Sequence, residues 1–208
     1  AKLFHDLVKT WQESEVKGLI HILQDDDPEE DYHAQFMCQV IEAADIPCKI
    51  IRGLQSLHWD NEGQIRDSDN NVVQWVWKTW AWETALDQLR EECEQDEAQL
   101  SAYEFDQVRE GSPRLVDVLL RSEVVVFEPL WTLIPSNKAI MAVLWMLFPE
   151  HPFLLNTQFK LTDELKAKGF AEKPIAGRCG HNISLIDQDT VLETTGGNFE
   201  HQDLIYQE

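Results

Sequence analysis

The chain has 208 residues, 43% of them hydrophobic, with 17 Lys plus Arg against 38 Asp plus Glu, a formal net charge of −21. That length and apolar share suit one large domain or two small ones with a real core, and no apolar run nears the roughly 18–20 residues of a membrane span. The acidity argues against a nucleic-acid partner and against adsorption to anionic membranes, since both need basic patches; it favours a cationic ligand or simply serves solubility.

Leu3, Leu7 and Trp11, with Phe4 and Val8 beside them, have helical spacing. Gly18–Leu23 reads as a buried strand. Asp27 is a good N-cap and Pro28 a good first helical residue, and Glu29, Glu30 and Asp31 suit the positive end of a helix dipole. That helix should run to about Ala44. Pro47–Arg52 is a second strand, so the chain opens α-β-α-β, the pattern of a parallel sheet with crossover helices. Trp59–Asp67 reads as a hairpin turning at Asn61–Gly63. Val72–Thr79 is extended, with Trp75 and Trp77 on one face and Val76 and Lys78 on the other.

From Glu83 to Leu100 the pattern is helical and acidic. Tyr103–Ser112 reads as loop or frayed helix, Arg114–Arg121 as a short helix, Val124–Phe127 as a buried strand and Leu130–Pro135 as a loop. Asn137–Phe148 is an apolar helix closed by Pro149. Phe153–Asn156 is extended, and Asp163–Lys168 is a helix ended by Gly169. Short β-like runs then alternate with glycine turns: Phe170–Ile175, Asn182–Asp187, Thr190–Glu193 and Leu204–Gln207. A composition shift near Pro149–Pro152 divides an α/β portion, 1–149, from a smaller α+β piece, 150–208.

No n-region and h-region open the chain, so no secretory signal is expected. The first residue is not Met, which suggests a piece of a longer protein. Cys38, Cys48, Cys93 and Cys179 form no CxxC and no metal-like spacing with His, so no metal site is expected; reduced thiols in the cytoplasm are the simplest reading.

Two stretches carry candidate chemistry. In Ala171–Ile183, Lys173 precedes a loop of Gly177, Arg178, Cys179 and Gly180. A cation on a strand followed by a glycine loop with exposed N–H groups can hold a polyphosphate, although such loops are more often plain turns. Lys138, in PSNKAI, is a second cation of the same kind. Glu29 and Glu30 are adjacent, about 100° apart on a helix, so they can serve two ligands or only favour the helix start. Trp75, Trp77, Trp80 and Trp82 form either a cation-binding wall or, more commonly, core. His21, His33 and His181 read as structural or solvent-facing.

The strings HILQDDDPEEDYHAQF, VWKTWAWETALDQLR, VVVFEPLWTLIPSNKAI and AEKPIAGRCGHNISL, in this order over nearly the whole chain, resemble the synthetase part of the glutathionylspermidine synthase family. The resemblance implies an α/β, pre-ATP-grasp-like layered sheet with crossover helices, followed by the beginning of an ATP-grasp α+β lobe. It implies an ATP-dependent carboxylate–amine ligase, with glutathione as acid and the polyamine spermidine as amine, working through an acyl phosphate. By position it places Lys138, Lys173, Cys179, Gly180, Gln207 and Glu208 on ATP, Glu30 and Thr84 on glutathione, and Glu29 on the polyamine. It places the ligands for Mg2+ in an acidic segment before Ala1 and the rest of the nucleotide lobe after Glu208, so the isolated chain is expected not to turn over. Two other readings stay open: a relative with the same ATP chemistry and a different acid and amine, or a non-catalytic binding module.

Overall fold

A computed structural model describes residues 2–25, 27–93, 104–177 and 179–208, with residues 92 and 93 as backbone only. It is a mixed α/β structure that divides into two compact units, Ala1–Leu130 and Trp131–Glu208. That division falls ahead of Pro149, so the apolar helix expected to close the first portion packs with the second unit.

The first unit is built on a four-stranded sheet. Its strands are β1 (Ile20–Gln24), β2 (Cys48–Arg52), β5 (Trp75–Lys78) and β6 (Val125–Val126), in the order β2-β1-β5-β6. All three pairings are parallel, as the opening α-β-α-β pattern requires. All five residues of β1 are buried. Ile20, Ile22 and Gln24 alternate with His21 and Leu23. Ile20 and Ile22 pack under α1 (Lys2–Gln12) and α2 (Asp31–Ala43), against Trp11, Ala34, Val40 and Ile41. Burying each such aliphatic side chain stabilises by about 1.5–3 kcal/mol, which makes this face the anchor of the unit.

The Asp27 carboxylate accepts from the Glu29 N–H at 2.9 Å, as an N-cap should. The first turn, Pro28–Glu30, is 3-10, and the α-helix starts at Asp31. The expected hairpin forms as β3 (His58–Trp59) against β4 (Ile65–Arg66). On β5, Val76 and Lys78 are buried while Trp75 and Trp77 are half-buried. Trp75 stacks on Phe127 at 6.0 Å, so that tryptophan packs in the core. Helix α3 covers Trp82–Cys93 and α4 covers Leu115–Leu119; the rest of the acidic stretch to Leu100, and Tyr103, lie outside the described residues. Val124–Phe127 contributes only the two-residue edge strand β6, and Val125 is 45% exposed, so this stretch is not the buried strand its composition suggests.

In the second unit, Leu130–Pro135 is not a loop. It forms a 3-10 turn (Leu130–Thr132) leading into α5 (Leu133–Ser136); Pro135 sits in the first turn of α5, where its missing N–H is tolerated. Helix α6 (Ala139–Leu147) follows with a bend of 71°. No single helix among the described residues is long and apolar enough to cross a membrane. The sheet contains β7 (Thr157–Gln158), β8 (Phe170–Pro174), β9 (Ser184–Asp187), β10 (Thr190–Thr194) and β11 (Leu204–Gln207) in the order β10-β9-β8-β11-β7, all antiparallel. Helix α7 (Asp163–Lys168) ends at Gly169, whose φ of 84° is one that glycine adopts without strain.

Candidate functional site

The second unit brings the two predicted lysines together. Lys173 lies opposite Ile205 in the β8–β11 register, on the face that also holds Gln207. Its ammonium donates to Gln207 Oε1 at 2.5 Å, and Gln207 Nε2 donates to Thr157 Oγ1 at 2.9 Å. Lys138 precedes α6; its backbone N–H donates to Ile175 O at 2.8 Å, which ties the helix start to the end of β8. Its ammonium donates to Gly177 O at 2.6 Å. A Cβ on Gly177 would stand 3.2 Å from Pro174 Cγ and 3.6 Å from Lys138 Nζ, so a glycine there lets the loop close on the ammonium.

Both lysines are half-buried, and among the described residues neither has a carboxylate at ion-pair distance. Burial lowers the pKa of each from the ordinary lysine value; for Lys138 the positive charge of Lys173 lowers it further. Two cations held near each other without a counter-charge form a site for an anion.

The glycine loop adds donors. Cys179 and Gly180 have φ of 51° and 72°, both are exposed, and among the described residues their N–H groups meet no acceptor; Arg178 lies outside those residues. Successive free N–H groups of this kind suit an anion. The Glu208 carboxylate takes Lys168 at 3.2 Å and its N–H donates to Asn156 O at 2.9 Å. A cleft of about 480 Å³ in this unit is lined by residues that include Ile175, Leu204 and Tyr206. Leu204 and Tyr206 lie on the face of β11 opposite Ile205 and Gln207, so the cleft and the lysine pair are on different sides of the strand.

The first unit places the other predicted residues at one rim. In an open parallel sheet, ligands bind beyond the carboxyl ends of the strands where the strand order reverses. Here the chain leaves β1 for β2 on one side and returns to β5 on the other, so the reversal lies at β1/β5. Glu29 and Glu30 follow β1, and Thr84 follows β5. The rim is stitched together: Thr79 N–H donates to Leu23 O, Gly53 N–H donates to Gln24 O, and Asp25 N–H donates to Thr79 Oγ1 at 3.2 Å. Glu29 is exposed, Glu30 and Thr84 half-buried. Glu30 Oε2 lies 3.3 Å from His33 Nδ1.

Several rim residues escaped the sequence reading. Lys78, its side chain 1% exposed, donates to Glu128 Oε2 at 2.7 Å and to Trp80 O at 2.9 Å, and sits 5.0 Å from the Trp82 ring centre. The Trp82 ring thus does meet a cation, but an internal one. Asp31 is held below the usual carboxylate range by the Arg52 guanidinium above all, with the Gln24 and Gln35 side chains helping. Near the start of β1 is a separate buried cluster: His21 Nε2 donates to Asp67 Oδ2 at 3.2 Å, and Lys49 donates to the same oxygen at 2.8 Å. It serves as a tie between strand and loop, which agrees with a structural His21.

No group of three His, Cys, Asp or Glu side chains among the described residues could hold a metal ion.

A family model described as glutathionylspermidine synthase preATP-grasp matches residues 1–208. The chain is similar to the bifunctional glutathionylspermidine synthetase/amidase of Escherichia coli (strain K12), 50% identical over 99% of this chain and 33% of that protein. It is also similar to the trypanothione synthetase of Crithidia fasciculata, 38% identical over 98% of this chain and 31% of that protein, and to the glutathionylspermidine synthase of the same organism, 30% identical over 83% of this chain and 24% of that protein. The chain thus spans a third or less of each of these relatives. With a match over its whole length, the chain belongs to the glutathionylspermidine synthase preATP-grasp family.

Proposed function

We propose that this chain is part of an ATP-dependent ligase that joins a carboxyl group of glutathione to an amine of a polyamine such as spermidine. A carboxylate resists attack until its oxygen becomes part of a phosphate leaving group. In the proposed reaction the carboxylate oxygen attacks the γ-phosphorus and ADP leaves. The amine nitrogen then attacks the acyl carbon, phosphate leaves, and the nitrogen loses a proton. Most of the protein's work in such a reaction is positioning and charge neutralisation.

The observation that carries this reading is the pair Lys138 and Lys173, two half-buried ammonium groups with no carboxylate at ion-pair distance among the described residues, both lowered in pKa by burial and Lys138 further by the charge of Lys173. A triphosphate would relieve that repulsion, with the Cys179 and Gly180 N–H groups as further donors. Gln207 and Glu208 would line the adenine side. In the first unit, Glu29 and Glu30 would each take one ammonium group, of the polyamine and of glutathione, and Thr84 would hydrogen-bond glutathione. In this reading residues 1–149 carry the substrate side and residues 150–208 begin an ATP-grasp lobe. Mg2+ would accompany the nucleotide on ligands other than this chain's described residues. Free thiols at Cys38, Cys48 and Cys179 suit a cytoplasmic setting, where glutathione keeps thiols reduced.

The test is ADP release by the complete protein with glutathione and spermidine. Release that requires both substrates is expected, while the 208-residue chain alone releases none. No ADP from a folded complete protein, with no heat on nucleotide titration, would leave a binding module instead. Glu29→Gln and Glu30→Gln then assign the two carboxylates, since each should raise the KM of one substrate more than that of the other.

A further inference from the structure

Gln24 is the last residue of β1, at the carboxyl end of the central strand where the strand order reverses. It is 2% exposed, and its Oε1 is buried with no hydrogen-bond partner among the described residues. The strand's alternation puts Gln24 on the same face as Ile20 and Ile22, the face covered by α2. Its side chain reaches the start of that helix, where it helps hold the Asp31 carboxylate in its charged form. The carbonyl oxygen is the end left without a donor among the described residues. A buried carbonyl without a donor is costly, and native structures rarely keep one without a reason.

The chain just beyond it carries Glu29 and Glu30, which draw cations toward the place where this acceptor waits. The turn that carries them, Pro28–Glu30, is a single 3-10 turn. It is tied by Glu30 N–H to Asp27 O at 3.1 Å and Glu29 N–H to Asp27 Oδ1 at 2.9 Å.

We propose that Gln24 Oε1 accepts a hydrogen bond from one of the two primary ammonium groups that Glu29 and Glu30 take, and that the Asp27–Glu30 turn lifts to admit it. The carboxylates supply charge and the carbonyl supplies direction. A group with N–H bonds is preferred over a cation that only carries charge. This rests on the ligase reading for the class of ligand: the ammonium is that of a polyamine or the α-ammonium of glutathione.

The test is calorimetric titration of the complete protein with spermidine and, separately, with glutathione, comparing wild type with Gln24→Met and Gln24→Glu. Met keeps the length and removes the acceptor, whereas Glu keeps an acceptor oxygen. Gln24→Met is expected to weaken one of the two ligands about tenfold or more, the scale of a lost hydrogen bond to a charged group. Gln24→Glu keeps an acceptor but sets a second carboxylate beside Asp31, so it should retain more of that ligand's affinity than Gln24→Met does, and the affinity for the ATP analogue AMP-PNP should stay within twofold in both variants. Whichever ligand responds identifies the source of the ammonium. Unchanged binding of both ligands to Gln24→Met, or a loss shared equally with AMP-PNP, overturns the proposal and leaves the ligase reading standing. A wild type that binds neither spermidine nor glutathione removes both. Where Gln24→Met does not fold, the wild type itself decides. Spermidine or glutathione should bind at least tenfold more tightly than its N-trimethylated derivative, and equal affinities for both pairs would sink the idea.

Discussion

Replacing Lys138 by Met tests whether the lysine pair is built for an anion or for the fold. In the ligand-free protein both ammonium groups have pKa values below the ordinary 10.5. The folded state therefore holds protons less tightly than the unfolded chain. At neutral pH each charge costs stability, and the cost disappears as pH rises through the folded pKa toward 10.5. Lys138→Met removes one charge and relieves Lys173, but it also loses the bond to Gly177 O, worth about 1 kcal/mol net. The two effects oppose each other, so the ligand-free melting temperature should stay within about 4 °C of wild type. Nucleotide binding should not. A hydrogen bond from an ammonium to a phosphate is worth about 1.5–3 kcal/mol, or about 10- to 100-fold in Kd. Lys173→Met should behave alike, and the double variant should lose less than the sum, because both groups act on one triphosphate. The assay is calorimetry of the complete protein with magnesium AMP-PNP, paired with thermal melts. Binding within twofold of wild type in both single variants would refute the reasoning, as would a fall of more than about 10 °C in the melt of Lys138→Met.

The buried cluster on β1 gives an acid-sensitivity prediction. Burial lowers the pKa of His21 despite the neighbouring Asp67, so stability is full above about 6.5 and declines as pH falls toward the folded value. Burial opposes ionisation of Asp67, but the Lys49 ammonium, Asn71 and His21 outweigh it and hold the carboxyl well below the usual range; its contribution is lost only below about 3.8. His21→Gln should flatten the melting curve between pH 6.5 and 5, and an unaltered slope would contradict the assignment. At the rim, Glu128→Ala leaves the buried Lys78 ammonium with Trp80 O and the Trp82 ring but no counter-charge among the described residues, and should cost about 3–5 kcal/mol. Lys78→Met leaves a half-exposed carboxylate that water can solvate and should cost under about 2 kcal/mol; equal losses in denaturant unfolding would refute this asymmetry. Burial raises the pKa of the Cys38 and Cys48 thiols, whereas Cys179 is exposed. Iodoacetamide should therefore label Cys179 well ahead of those two, read by mass spectrometry, and magnesium AMP-PNP should slow that labelling.

What the sequence made legible were the features with a local cause. The run GLIHIL is uninterrupted because β1 is buried on both faces. Asp27 and Pro28 mark a helix start because their side chains set its geometry. Gly169 ends α7 at a positive φ. The lysine pair was legible only through the resemblance, since Lys138 and Lys173 are distant in the chain and nothing local says that they meet. Lys78 was misplaced in importance. On an alternating strand it looks like a polar residue on a wet face, and only a carboxylate arriving at Glu128 explains its burial. Gln24 could not be seen at all, because a polar residue closing an apolar run looks like the strand's exit to solvent. Val124–Phe127 misled in the opposite direction: its apolar composition matches a central strand, yet β6 is an edge.

Strand β1 is formed early in the chain, but it gains its second neighbour late. Ile20 pairs with Trp75, so the reversal point does not exist until β5 has been made and has returned across the sheet. Pairings that close such long loops are slow relative to local ones. During synthesis the Glu29–Glu30 turn can therefore fold onto β1 and β2 well before the opposite wall of its rim is present. Substitutions that weaken the β1–β5 ladder should delay folding while leaving early helix formation intact, a kinetic signature separate from any effect on ligand affinity.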